Sequence, residues 1–197
     1  MAAALCLTAF NLSEASRAAS FSETVLLDMN IVTLPSQETP AIEDTSIPSD
    51  SESVYIINSE IDMPTITVNG NEYIGVLEIP ALGLSLPVIS KWSYPNLRLA
   101  PCRYKGSAYL DDLIIAAHNY KQHFGLLKDL NTGDEIKFID VDSNCFTYKV
   151  FEVEQLAGTD REEMEAGDWD LTLFTCTIGG QARITVRCER MGDDYSR

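Results

Sequence analysis

Cys176, His118 and Arg183 each stand where a run of strand-forming residues meets a loop. Leu171-Thr-Leu-Phe-Thr-Cys176 reads as a strand ending on a cysteine, and Thr-Ile-Gly-Gly-Gln-Ala separates it from Arg183. A strand end is a rigid platform opening onto a loop, which is where a nucleophile should stand. Thiols attack as thiolates, so a reactive cysteine needs a base or positive charge nearby. If the strand opened by Arg183 pairs with the one closed by Cys176, the guanidinium can lie beside the sulfur. Leu113-Ile-Ile-Ala-Ala117 reads as a buried strand with His118 just past its end. Converging in this way, the three would supply a nucleophile, a proton carrier and a charge stabiliser. Each residue also has a plainer reading. A cysteine at a hairpin is commonly a buried structural one, and a histidine at a strand end is commonly a hydrogen-bonded structural one. The second histidine, His123, opens His-Phe-Gly-Leu-Leu and reads as a capping or packing residue.

The elements that must position this set are short and β-rich. Tyr73–Ile79, Leu84–Ile89, Leu113–Ala117, Glu135–Ile139, Phe146–Val153, Leu171–Cys176 and Arg183–Cys188 are β-branched runs bounded by Gly, Pro, Asn and Asp. Asn69-Gly70 and Thr132-Gly133-Asp134 are turn signals, and residues 123–130 read as a short helical segment. Such a pattern predicts an all-β barrel or sandwich over residues 67–197. Ahead of it, residues 33–66 are rich in Pro, Ser, Thr and acidic residues and read as a linker. Residues 11–30 have helix-compatible spacing without Pro or Gly, within an N-terminal segment over 1–32. The apolar stretch Met1–Phe10 is shorter than the roughly 20 residues that span a bilayer, and no basic region precedes it. It reads either as the remnant of a membrane anchor or as the start of a plain N-terminal helix.

Composition narrows the function classes. With 14 basic against 30 acidic residues the chain carries a formal net charge of -16, the wrong sign for a nucleic-acid backbone binder. The cysteines Cys6, Cys102, Cys145, Cys176 and Cys188 form no C-x-x-C pair, so no zinc-ribbon spacing exists, and no cofactor is expected. A Cys102–Cys188 disulfide is left open by the count.

The motifs together resemble one family. Thr172-Leu-Phe-Thr-Cys176 is similar to the T-L-x-T-C signature of sortases, the cell-wall transpeptidases of Gram-positive bacteria. Arg183-Ile-Thr-Val-Arg187 resembles the Arg-led strand that follows it, and Ala117-His118-Asn119 the segment carrying the family histidine. Phe124–Leu130 with Gly133-Asp134 resembles the F-x-x-L-x-x-L…G-D stretch, and Gly75–Pro80 and Leu86-Pro-Val88 the opening strands. The resemblance runs from Tyr73 to Arg190 in the right order. It implies a closed eight-stranded β-barrel with short helices, preceded by the N-terminal helix and linker. Within the family, His118-Asn119 leans toward class B and the Arg-x-x-Val-Arg strand toward pilin-type enzymes.

The resemblance also implies a chemistry. Cys176 attacks the Thr carbonyl of an LPxTG-like sorting signal, His118 protonates the leaving nitrogen, and Arg183 faces the oxyanion. The thioester is then resolved by an amine from a cell-wall precursor or a pilin lysine, at the extracellular face of the membrane. The substrate-binding set it suggests is Thr175, Asn119, Leu97, Ile178 and Trp169, with Met164, Leu99, Ala100 and the Trp92–Tyr94 region as further groove candidates. The acidic loop 160–170 reads either as a solvated wall of the groove or as a Ca²⁺ site. A hydrolytic cysteine peptidase and a silent β-barrel binding module are the competing readings.

Overall fold

The computed structural model describes the backbone of residues 2–29, with side chains from Ser13, and residues 63–192 throughout. Most of the expected linker, and Cys6, therefore lie outside the described side chains. The expected barrel is present. In chain order its strands are β1 (Ile66–Val68), β2 (Asn71–Ile79), β3 (Leu84–Ile89), β4 (Cys102–Lys105), β5 (Leu113–Ala116), β6 (Glu135–Asp140), β7 (Cys145–Ala157), β8 (Leu171–Cys176) and β9 (Ala182–Arg190). The sheet runs β2-β3-β4-β5-β8-β9-β7-β6 and closes by the β2–β6 pairing, giving eight strands in the barrel with β1 hairpinned onto β2. Closure brings the β2 and β6 backbones together at Gly75, where a Cβ would lie 2.2 Å from the Ile139 carbonyl oxygen. With φ at +155°, that position accepts only glycine.

Period-two alternation divides the side chains between two layers. Leu113, Ile115, Leu171, Leu173, Val186 and Cys188 fill the barrel interior. Ile114, Ala116, Phe174, Cys102, Tyr73 and Val76 face outward into a second apolar cluster. Helix α1 (Ala2–Met29) covers part of that outer layer: Val25 and Met29 are buried in it, and Asp28 accepts a hydrogen bond from Asn69. The carboxyl-terminal half of α1 is thus packed on the barrel, a contact that no local pattern announced. No helix among the described residues is long and apolar enough to cross a membrane. Cys102 and Cys188 are both buried free thiols, one in the outer layer and one inside the barrel, so the sheet separates them and the Cys102–Cys188 bridge is not formed.

The predicted short helix over 123–130 is a run of turns ending in a 3-10 turn at Leu127–Asp129. His123 packs at its start, fully buried, with neither ring nitrogen hydrogen-bonded among the described residues. Burial, and then the neighbouring His118, push its pKa from 6.5 down to about 4. An unfolded chain protonates this ring below about pH 6.5, whereas the folded chain resists until about pH 4. Stability is therefore present above that window and lost as the pH falls through it, by roughly 3 kcal/mol from this one group. Urea unfolding at neutral pH and at pH about 4 should show a smaller acid-induced loss in His123→Leu than in the wild type. Equal losses in the two proteins would remove His123 from the acid response.

Candidate active site

Strand register, rather than loop conformation, assembles the site. β5 and β8 are parallel neighbours with Ala116 opposite Phe174, so His118 and Cys176, each two residues further on, reach the same level at the same end of the barrel. The Ala117 amide donates to the Phe174 carbonyl at 3.2 Å and carries the pairing past the end of β5. β8 and β9 are antiparallel with Cys176 directly opposite Arg183. Because facing alternates along each strand, Cys176 shares the outer face with Phe174, and Arg183 shares it with Thr185 and Arg187. The intervening loop is kept tight by the Thr177 amide and hydroxyl, which both bond to the Ala182 carbonyl, and by Gly179 and Gly180 at φ of +89° and +70°.

A cleft of about 330 Å³ contains all three residues. Ala116 and Phe174 form its floor; Trp92, Tyr94 and Leu97 make one wall, and Met164 and Arg161 another. The first wall is carried by α2 (Tyr94–Leu97), whose first turn is capped by the Ser93 hydroxyl accepting from the Asn96 amide at 3.1 Å. The second wall is α3 (Arg161–Glu165).

Arg187 holds α3 in place. Its guanidinium is buried beneath the helix, donating to the carbonyls of Glu163 and Met164 at 2.8 Å each, to the Thr172 hydroxyl at 3.3 Å and to Glu154 at 2.7 Å. The cation thus satisfies α3 carbonyls that a five-residue helix leaves open. A buried charge paired this way also ties α3 to β7 and β8. Of the three arginines on β9, Arg183 opens into the cleft, Arg187 is the structural one under α3, and Arg190 at the strand's end donates to Asp111. No feature of the sequence signalled the role of Arg187, because it depends on helix carbonyls 23 and 24 residues back in the chain.

The electrostatics differ among the groups. His118 is half-buried; burial first, and then the nearby Arg98 charge, hold its pKa below the ordinary imidazole value. Its ring sits 5.0 Å from that of Tyr120, and no described carboxylate hydrogen-bonds to it. One guanidinium nitrogen of Arg183 is shielded from solvent with no hydrogen-bond partner among the described residues. That nitrogen is a buried donor without a partner among the described residues, while the side chain as a whole lines the cleft. Among the four described cysteines, burial pushes the Cys102 and Cys188 thiols up, while Cys145 and Cys176 are exposed, and only Cys176 lines the cleft.

The remaining candidates scatter. Leu97 and Met164 line the cleft, as do Trp92 and Tyr94. Ile178 stands on the loop beside it, 95% exposed. Thr175 is buried with its hydroxyl unpartnered among the described residues, and Asn119 is half-buried beyond His118; neither lines the cleft. Ala100 is core, Leu99 packs against it, and Trp169 turns away to stack on Phe151 at 5.2 Å. In the acidic loop, Glu165 is engaged by Arg161, Lys105 and Tyr104, and Asp170 accepts from the Arg190 amide. Among the described residues no three His, Cys, Asp or Glu side chains converge as a metal site.

Comparison with known proteins agrees with this geometry. Residues 77–191 match the family model for the sortase domain. Over 137 residues the chain is 28% identical to sortase A of Bacillus anthracis, a match covering 64% of this chain and 65% of that protein, just under two thirds of its length. Among solved structures, sortase A of Corynebacterium diphtheriae superposes with a TM-score of 0.57 at 20% identity, covering 64% of each chain. Sortase C1 of Streptococcus agalactiae gives 0.55 at 24% identity, covering 65% of this chain and 72% of that one. A Clostridium perfringens sortase D5 transpeptidase gives 0.54 at 21% identity, covering 64% and 83%. At these identities the superpositions speak to the fold.

Proposed function

The chain belongs to the sortase family, and on that premise we propose that it is a cysteine transpeptidase acting on an LPxTG-like sorting signal of surface proteins. The observation that carries this is the register that sets Cys176 opposite Arg183 and level with His118 in one cleft. Cys176 passes its thiol proton to His118, Sγ attacks the threonine carbonyl, and the carbonyl electron pair moves onto oxygen. Arg183 donates to that oxyanion; one such donor supplies on the order of 10²–10³ in rate. Collapse expels the amide nitrogen, which takes its proton from His118, and leaves a thioester on Cys176. An incoming amine then attacks the thioester and loses a proton to His118, forming a new amide and expelling the Cys176 thiolate, which takes that proton back. The apolar floor and walls, Ala116, Phe174, Leu97 and Met164, suit the Leu-Pro portion of such a signal. A peptidoglycan cross-bridge amine or a pilin lysine is the acceptor this reading names, at the outer surface of a Gram-positive cell.

Incubating the protein with a Leu-Pro-Ala-Thr-Gly peptide and triglycine should give an acyl-enzyme adduct on Cys176 by mass spectrometry and a peptide–triglycine amide as product. Release of the free acid alone, whatever the triglycine concentration, would instead identify a hydrolase using the same site.

A further inference from the structure

A second, larger cavity of about 780 Å³ adjoins the cleft and shares Trp92, Tyr104 and Arg161 with it. Its charge is opposite to that of the molecule. Lys91, Arg103, Lys105 and Arg161 line it, and Glu165 is the one carboxylate among its lining residues. The whole chain stands at -16 with only 14 basic residues to place. Four of those on one concave surface make a local field that attracts anions from an otherwise repelling molecule.

The cavity already holds a carboxylate of the protein's own. Glu165 accepts from Arg161 Nε at 2.8 Å, Tyr104 Oη at 2.9 Å and Lys105 Nζ at 3.2 Å, and the Arg161 guanidinium lies over the Tyr104 ring at 5.5 Å. Lys91 also lines the cavity, its side chain 79% exposed and 3.9 Å from Glu72.

The sheet fixes how far this cavity lies from the nucleophile. Lys105 is opposite Ile114, and Ile114 is opposite Thr172, which precedes Cys176 by four residues on β8. At about 3.3 Å per residue along the strand and about 4.8 Å across each of the two strand spacings, the separation is roughly 16 Å, or about five residues of an extended peptide lying along the cleft. Only the segment on the amino side of the cleaved bond stays attached through both chemical steps, so a contact on that side serves the whole reaction.

We propose that this cavity is a recognition site for acidic side chains of the acyl-donor peptide, placed just ahead of its leucine, five or six positions before the cleaved bond. This rests on the transpeptidase reading above. Lys91 and Arg161 face the peptide carboxylates, and Tyr104 and Trp92 carry the chain from the apolar cleft into the basic cavity.

The test compares Glu-Glu-Leu-Pro-Ala-Thr-Gly, Gln-Gln-Leu-Pro-Ala-Thr-Gly and a Leu-Pro-Ala-Thr-Gly-Glu-Glu peptide. Binding to the full chain carrying Cys176→Ala is read by anisotropy, and cleavage by the wild type is read separately. The leading Glu-Glu peptide should bind roughly tenfold more tightly than its Gln-Gln counterpart, as expected for two partly solvated charge contacts. That advantage should shrink severalfold in Lys91→Gln and fade at high salt. Equal binding of the Glu-Glu and Gln-Gln peptides, or an advantage that follows Glu-Glu placed after the cleaved bond, overturns the assignment. Selective binding without cleavage by the wild type would sink the transpeptidase reading and leave the acidic-peptide site standing. Cleavage without selectivity does the reverse, and absence of both rejects the site.

Discussion

Replacing Cys176 with alanine is expected to abolish thioester formation and amide product together, a loss on the order of 10⁴-fold or more. Removing a covalent nucleophile leaves only binding and oxyanion stabilisation, and such residual catalysis is small. Among the described residues the site offers no substitute thiol. Cys102 and Cys188 are buried with their thiols pushed up by that burial, and Cys145 is exposed at the start of β7, outside the cleft. Cys145→Ser should accordingly leave turnover unchanged. Alkylation with iodoacetamide in the presence and absence of a Leu-Pro-Ala-Thr-Gly peptide gives the matching structural readout: the peptide should protect Cys176 and not Cys145. Peptide processing that survives Cys176→Ala rejects the covalent mechanism outright.

The second large effect belongs to His118. His118→Ala should slow turnover by 10²–10⁴, the usual contribution of a positioned proton carrier. The environment of this ring adds a signed prediction. Burial first, and the Arg98 charge second, lower its pKa, so at neutral pH the neutral imidazole predominates. Arg98→Gln removes the second cause and should move the His118 titration, followed by its ring-proton NMR signals, to higher pH. The balance between an imidazolium–thiolate pair and a neutral pair depends on the relative proton affinities of the two groups. Raising that of His118 favours the ion pair, so Arg98→Gln should alkylate Cys176 faster at neutral pH. An unchanged His118 titration, or slower alkylation, contradicts this account of its electrostatics. His118 lacks a carboxylate partner among the described residues, so its orientation depends on packing with Tyr120 and on the end of β5.

Both effects, and the acidic-peptide site, depend on α3 staying where Arg187 holds it. Met164 and Arg161 reach the cleft from that five-residue helix, and Glu165 reaches the basic cavity from its end. A helix this short has little intrinsic stability in water. The buried guanidinium gives it carbonyl partners, and Glu154 neutralises the charge.

The strands carrying the chemistry were legible in the sequence because each is a β-branched run with a sharp boundary. Leu171–Cys176 was read to the residue, and the run to Ala117 overshoots β5 by one. β4, Cys102–Lys105, was missed: its four residues mix a cysteine, two cations and a tyrosine, and it is specified by its neighbours rather than by its own pattern. β1 is three residues long and exists only as the hairpin partner of β2. The expected helix over 123–130 became turns because the Phe124 and Gly125 amides bond back to the His118 and Tyr120 carbonyls, and the Leu127, Asp129 and Leu130 amides reach only three residues back. Trp169 was placed beside the substrate by its position in the chain, yet its ring found Phe151 across the β7 bulge.

What the sequence determined by itself was the identity of the chemical groups and their places at element ends. The Thr-Leu-Phe-Thr-Cys176 run, the apolar strand before His118 and Arg183 after the Gly-Gly loop are local patterns, and local patterns survive without a fold. Tertiary structure alone decided which ends meet. Parallel pairing of β5 with β8 levels His118 with Cys176, and antiparallel pairing of β8 with β9 sets Cys176 against Arg183. It also decided which arginine of β9 serves the cleft and which is buried under α3, since both lie on the same face of one strand. The physical reason is that strand pairing and charge burial are non-local: each is settled by closure of the barrel and by what packs over it.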